Sequence, residues 1–175
     1  MRAIFLPALL VSVLTIHSPA QTCREVVRDS SGRIVQTIER HKSSGGSERA
    51  VIRDASGRII GTATTHTNGG GTSSRTQFRD ASGRITGSAT STGSRTSYRD
   101  ASGRLSGSAS TSRSGSSRRT QFRDASGRLT GSETAHRNTT TTRRDSSGRL
   151  TGSSTGSGRC ETGTRGWAWP APKGP

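Results

Sequence analysis

Aromatic side chains are nearly missing, at 3% of the 175 residues, and apolar residues of every kind reach only 25%. Thirteen of the apolar positions fall within the first twenty residues, so the rest of the chain lies far below the near-half apolar share of an ordinary globular domain. That shortage excludes a large packed core, a buried helical bundle and a multi-domain enzyme. No second long apolar run follows, so no transmembrane segment is expected beyond the first twenty residues. Acid is scarce too, with 11 Asp and Glu against 27 Lys and Arg and a formal charge of +16. Only two cysteines occur. What fills the space is Ser, Thr and Gly, which together supply 78 residues.

Residues 1–20 have the layout of a secretory signal peptide: Arg2, an apolar run from Ala3 to Leu14, then Ser18-Pro19-Ala20. The run is short for a membrane span, and cleavage is expected near Ala20. An uncleaved membrane anchor is the alternative. Ala20-Gln21-Thr22 ahead of Cys23 lacks the small aliphatic pattern of a lipidation site. The chain is therefore expected to be exported, either periplasmic or secreted. In that compartment Cys23 and Cys160 are expected to form a disulfide. Closing so long a loop is worth about 4–5 kcal/mol in the chain-entropy model. Two free thiols or intermolecular pairing are the alternatives.

Internal repetition is the strongest signal. The phrase R-D-[AS]-S-G-R-[IL] occurs six times, at Arg28–Ile34, Arg53–Ile59, Arg79–Ile85, Arg99–Leu105, Arg123–Leu129 and Arg144–Leu150. Each copy reads as a β-hairpin. The arms carry Thr and aromatic or aliphatic residues that suit a pleated surface. At the turn, Asp29, Asp54, Asp80, Asp100, Asp124 and Asp145 can accept hydrogen bonds from backbone amides. Gly32, Gly57, Gly83, Gly103, Gly127 and Gly148 supply a positive φ at low cost.

Burial of one apolar face favours a four-residue loop, Asp80 to Gly83 in the third copy, with Phe78 opposite Ile85. A three-residue loop would send Phe78 and Ile85 to opposite faces. The first apolar position holds Val27, Ile52, Phe78, Tyr98, Phe122 and, exceptionally, Arg143. The second holds Ile34, Ile59, Ile85, Leu105, Leu129 and Leu150. Thr76, Thr96, Thr120 and Thr141 share the first position's face. Gly61, Gly87, Gly107, Gly131 and Gly152 recur two residues after the second position, which suggests crowding near a common axis.

Segments between copies, such as His66–Gly71 and Arg113–Ser117, are polar, vary in length and are expected to be surface loops. Lone hairpins are marginal in water, so six must lean on one another. A Cys23–Cys160 bridge would bring the ends together, as a closed ring requires, and closure removes exposed sheet edges. The predicted fold is an all-β, closed, pseudo-symmetric barrel or rosette of six hairpins, spanning residues 21–160. Residues 161–175 are expected to be a flexible tail. Its Trp167 and Trp169 could enter a membrane interface, stack on a sugar or plug one barrel end.

The phrases FRDASGRITGSAT, YRDASGRLSGSAS and FRDASGRLTGSET resemble the β-flower repeats of bacterial exported proteins. That resemblance spans roughly residues 24–155. It implies a shallow symmetric barrel of hairpins, often with five petals. By analogy with the barrel of Tubby-type lipid-binding proteins, it also implies attachment to membrane surfaces. This chain departs from the five-petal pattern in having six phrases and Arg143 at the aromatic position. A weaker likeness is to the YD repeats of large bacterial shell proteins, whose arrays are much longer.

Arginine supplies 25 of the 27 basic residues. Twelve occupy two fixed places in the repeat: Arg28, Arg53, Arg79, Arg99, Arg123 and Arg144 before the turn, and Arg33, Arg58, Arg84, Arg104, Arg128 and Arg149 after it. Both sets are expected on the outer face, where six aspartates can neutralise at most half of them. They are candidate anion-binding residues, since guanidinium groups take phosphate and carboxylate bidentately. The plainer reading is a solvated face with one arginine per turn paired to Asp. For an exported chain the anions would be lipid headgroups, lipopolysaccharide or acidic polysaccharide. A protein partner docked by a barrel end or by the Trp tail is the competing class. Nucleic acid would bind electrostatically, but no recognised module supports it as a physiological role.

No catalytic constellation is present. His41, His66 and His136 lie in inter-repeat segments without metal-ligand spacing. The D-x-S-G motif is not a nucleophile elbow. Glu133 stands on the inner face of copy five in place of a small residue, and one carboxylate defines no site. No enzyme activity, metal or cofactor is expected.

Overall fold

The computed structural model describes residues 21–43, 45–136 and 140–158. The signal-peptide expectation for residues 1–20, Cys160, and the tail with Trp167 and Trp169 lie outside the described residues. The described chain folds as twelve strands: β1 Gln21–Asp29, β2 Ile34–Lys42, β3 Ser47–Asp54, β4 Ile59–Thr67, β5 Ser73–Asp80, β6 Ile85–Thr92, β7 Arg95–Asp100, β8 Leu105–Ser114, β9 Ser117–Asp124, β10 Leu129–Ala135, β11 Thr140–Asp145 and β12 Leu150–Gly158. Each strand pairs antiparallel with its chain neighbours, and β1 pairs with β12 to close a barrel. The closing ladder runs from Cys23 opposite Gly158 to Asp29 opposite Gly152. Closure therefore rests on backbone hydrogen bonds, independently of any covalent link. No sheet edge is left for another chain to extend.

The inner wall is small and sparse. Val27, Ile38, Ala50, Ile52, Ala63, Phe78 and Ala89 form one buried cluster, with Ile60 and Tyr98 packed against it. Hydroxyls fill the rest, as in the 2.8 Å bond between buried Thr65 and Thr76. With so few large side chains available, this interior relies on Thr and Ser partners to satisfy one another. Facing strands of successive hairpins set a small residue against a large one: Ala63 opposite Phe78, Ala89 opposite Tyr98 and Ala109 opposite Phe122.

The hairpin register differs from the sequence expectation. In the third copy the Asp80 amide donates to the Arg84 carbonyl at 3.0 Å, and the Gly83 amide donates to the Asp80 carbonyl at 3.1 Å. Gly83 has φ +83°. This is a three-residue loop closed by a glycine bulge, a common solution for a type I hairpin turn. It turns the second apolar position outward: Ile34, Ile59, Ile85, Leu105 and Leu150 are exposed, Leu105 at 47%. A second irregularity follows at once. Arg79 pairs with Ile85, yet Phe78 pairs with Gly87, so Thr86 is extra and the strand flips back. Burial logic alone could not foresee two compensating shifts. The turn's own hydrogen bonds outweigh the burial of one aliphatic residue.

The recurrent glycines also have a different cause from crowding at an axis. A Cβ on Gly87, Gly107 or Gly131 would stand 2.5 Å from the carbonyl oxygen of Arg99, Arg123 or Arg144 on the adjoining strand. Each glycine admits the neighbouring hairpin's backbone just before its turn. The His66–Gly71 and Arg113–Ser117 segments, expected as loops, are partly strand: β4 runs to Thr67, and β8 runs to Ser114 with Ser117 already in β9.

Candidate functional site

Consecutive antiparallel hairpins place all six phrase turns on one rim of the barrel and the inter-copy connections on the other. Each turn is built by its aspartate. Asp100 Oδ1 accepts the Ser102 amide at 2.9 Å, the Ser102 hydroxyl at 2.7 Å and the Arg104 amide at 3.0 Å. The two amide bonds recur in every copy. The serine hydroxyl is the leading cause that holds the carboxyls of Asp29, Asp54, Asp100, Asp124 and Asp145 below the ordinary range; the backbone amides and the following arginine add to it.

The twelve repeat arginines divide into two sets with different duties. Arg28, Arg53, Arg79, Arg99, Arg123 and Arg144 each donate from Nη1 to the carbonyl of their own turn glycine, at 2.7–3.0 Å. They cap the turn from the outside. Arg33, Arg58, Arg84, Arg104, Arg128 and Arg149 give only their backbone amide to Asp. All six are exposed, and among the described residues their guanidinium groups make no hydrogen bond or ion pair. The rim thus carries six arginines committed to structure and six with their donors open to solvent. Close below lie the exposed aliphatics, each opposite a capping arginine, as Leu105 is opposite Arg99.

A second charged group lies inside the barrel, where the sequence reading placed Glu133 and, at the first apolar position, Arg143. Arg40 holds Glu25 at 2.8 Å and stands 3.8 Å from Glu48. Arg143 stands 3.5 Å from Glu25 and 3.8 Å from Glu133. Burial raises the Glu25 carboxyl, but Arg40, the Ser154 hydroxyl and Arg143 outweigh it and its pKa falls. Burial dominates at Glu133 and its pKa rises; Arg143 pulls it down and Glu25 pushes it up. Burial and Glu133 together raise the Tyr98 hydroxyl.

Glu133 faces Arg143 across the β10–β11 ladder. That is the place held by Ala–aromatic pairs at three other junctions, so the two odd residues of copies five and six replace one packing pair with one ion pair. Aligning each copy's small inner residue with the next copy's aromatic would have shown this from the sequence. His41, His66 and His136 sit on β2, on β4 and after β10. Among the described residues, no group of three or more His, Cys, Asp or Glu side chains could hold a metal ion.

Cys23 is buried at the β1–β12 seam and is not a free thiol; Cys160 lies outside the described residues. No helix among the described residues is long and apolar enough to cross a membrane. Compared with known proteins, the chain matches no family model, no curated protein and no solved structure.

Proposed function

We propose that this chain is a non-catalytic exported barrel that attaches to anionic envelope surfaces through the six arginines that follow the turn glycines. One observation carries the reading: Arg33, Arg58, Arg84, Arg104, Arg128 and Arg149 share a rim, and their guanidinium groups have no protein partner among the described residues. Their spacing around a closed ring suits a flat or repetitive anionic face, because one plane can meet all six turns together. Lipid headgroups, lipopolysaccharide and acidic polysaccharide offer the phosphate or carboxylate oxygens that guanidinium groups take bidentately. The six turn-capping arginines belong to the scaffold of this surface. A Cys23–Cys160 bridge would lock the seam that β1 and β12 form, and β1 begins just after the proposed cleavage near Ala20. The likeness of the repeat to the β-flower phrases agrees with this reading.

A protein-docking module is the second reading, favoured by the exposed aliphatics beside the crown. Co-sedimentation with phosphatidylglycerol vesicles, phosphatidylcholine vesicles and lipopolysaccharide at low and physiological salt separates the two. Crown attachment predicts binding to the anionic materials alone, weakening steeply with salt. Absence of anionic binding at low salt refutes it and leaves the docking reading.

A further inference from the structure

At the opposite rim, β8 and β9 meet around Gly115 and Ser116, and Arg113 lies directly opposite Arg118 in the ladder. Both continue the inward column below them, where the Thr111 and Thr120 hydroxyls bond at 3.0 Å. The corresponding inward pairs on other facing strands are complementary or neutral: Lys42 opposite Glu48 and Thr67 opposite Ser74. Directly opposed like charges destabilise a strand pair, so this pair is an exception within its own fold.

The two arginines line a cleft of about 150 Å³ with Ser116, Ser117, Ala135 and His136. The Ser117 hydroxyl lies 3.5 Å from His136 Nδ1. Among the described residues no carboxylate lines the cleft. Each charged or titratable described residue lining it is a cation or a potential one, and its hydroxyls can donate. Arg118 is partly withdrawn from water, and burial first, then the Arg113 charge, disfavours its protonated form. An anion between the two would turn one repulsion into two attractions.

We infer that the cleft between Arg113, Arg118 and His136 is a binding site for a small oxyanion of the phosphate class. Two guanidinium forks and the adjacent hydroxyls supply donors for a tetrahedral group. This site is separate from the crown and from the attachment assigned to it, and lies on the other end of the barrel.

The test titrates inorganic phosphate into the intact protein at low ionic strength, with chloride at matched ionic strength as reference. Binding is followed by calorimetry and by the His136 ring proton signals in NMR. The expected result is saturable one-site binding that moves the His136 signals and is at least tenfold weaker in Arg118→Gln. Arg84→Gln, on the other rim, should bind as the parent does. Arg113→Gln, altered at an exposed position, gives the same test should Arg118→Gln fold poorly. Replacing either arginine should also raise the thermal midpoint in chloride, because the repulsion is gone. To separate a free phosphate from a phosphate on a lipid, the same variants are sedimented with phosphatidic acid vesicles. Loss there as well assigns a headgroup, and loss with free phosphate alone assigns a soluble anion. Undisturbed His136 signals at millimolar phosphate, or equal binding by both arginine variants and the parent, would overturn the inference.

Discussion

Substituting Arg143→Tyr removes the cation that lies between two partly buried carboxylates, and its cost depends on which partner it leaves behind. Glu25 keeps Arg40 at 2.8 Å. Glu133, with a side chain 16% exposed, stands 3.8 Å from Arg143, its ion-pair partner, while Arg40 acts on it more weakly from farther away. Stranding one member of a fully buried pair costs about 3–5 kcal/mol; partial exposure here lowers that to about 2–3 kcal/mol at neutral pH. Glu133→Ala leaves Arg143 near Glu25 at 3.5 Å, so it should cost about 0–1 kcal/mol by the same reasoning. The double substitution rebuilds the pairing of Ala89 with Tyr98 and should lie within about 1 kcal/mol of the parent, since exchanging a buried ion pair for packed residues is often neutral or stabilising. A double-mutant cycle should therefore show coupling of about 3 kcal/mol.

The pH dependence has a definite sign. The folded pKa of Glu133 is already above its ordinary value, and losing Arg143 raises it further. The folded state then holds the proton more tightly than the unfolded chain, so stability falls as pH rises from the unfolded pKa through the folded one. The Arg143→Tyr deficit should be small near pH 4.5 and full at pH 8. Urea denaturation followed by far-ultraviolet circular dichroism at both pH values measures it. Additive losses at pH 8, or a deficit that does not shrink in acid, would refute the assignment of Arg143 as the partner of Glu133.

Other expectations follow from the turns and strands. Gly107→Ala puts a methyl 2.5 Å from the Arg123 carbonyl and should cost about 1–3 kcal/mol, typical of overpacking. Gly103→Ala, at φ +83° with open space around it, should cost about 1–2 kcal/mol through the left-handed backbone alone. Urea midpoints compare the two. The carboxyls of Asp29, Asp54, Asp100, Asp124 and Asp145 have lowered pKa values, so their stabilisation is present above the unfolded pKa and lost as pH falls through the folded one. Acid titration of the parent should show stability declining below about pH 4, and Asp100→Asn should flatten part of that decline. Arg99→Gln, which loses the bond to Gly103, should lower the midpoint, whereas Arg104→Gln should leave it unchanged.

The barrel was legible because six copies of one phrase fix six turns, and because a polar chain can protect its sheet edges only by closing on itself. Asp80 and Gly83 were read correctly as turn residues, and Thr76 as an inward one. The register at Ile85 was not legible. A three-residue turn and a bulge at Thr86 differ from a four-residue turn by hydrogen bonds that the one-letter pattern does not encode. Arg79 and Arg84 looked equivalent in the sequence, and only the geometry shows one bound to the Gly83 carbonyl and the other open. Glu133 and Arg143 were each conspicuous, and setting each copy's inner residue against the next copy's first apolar position would have linked them.

The central claim is tested most directly by two six-fold variants assayed side by side for sedimentation with phosphatidylglycerol vesicles at low salt. One replaces Arg33, Arg58, Arg84, Arg104, Arg128 and Arg149 with glutamine, and the other replaces Arg28, Arg53, Arg79, Arg99, Arg123 and Arg144. The account predicts that the first keeps the parent's thermal midpoint and loses binding. The second, provided its barrel still forms by circular dichroism, keeps binding at reduced stability. Full binding by the first variant would contradict the account.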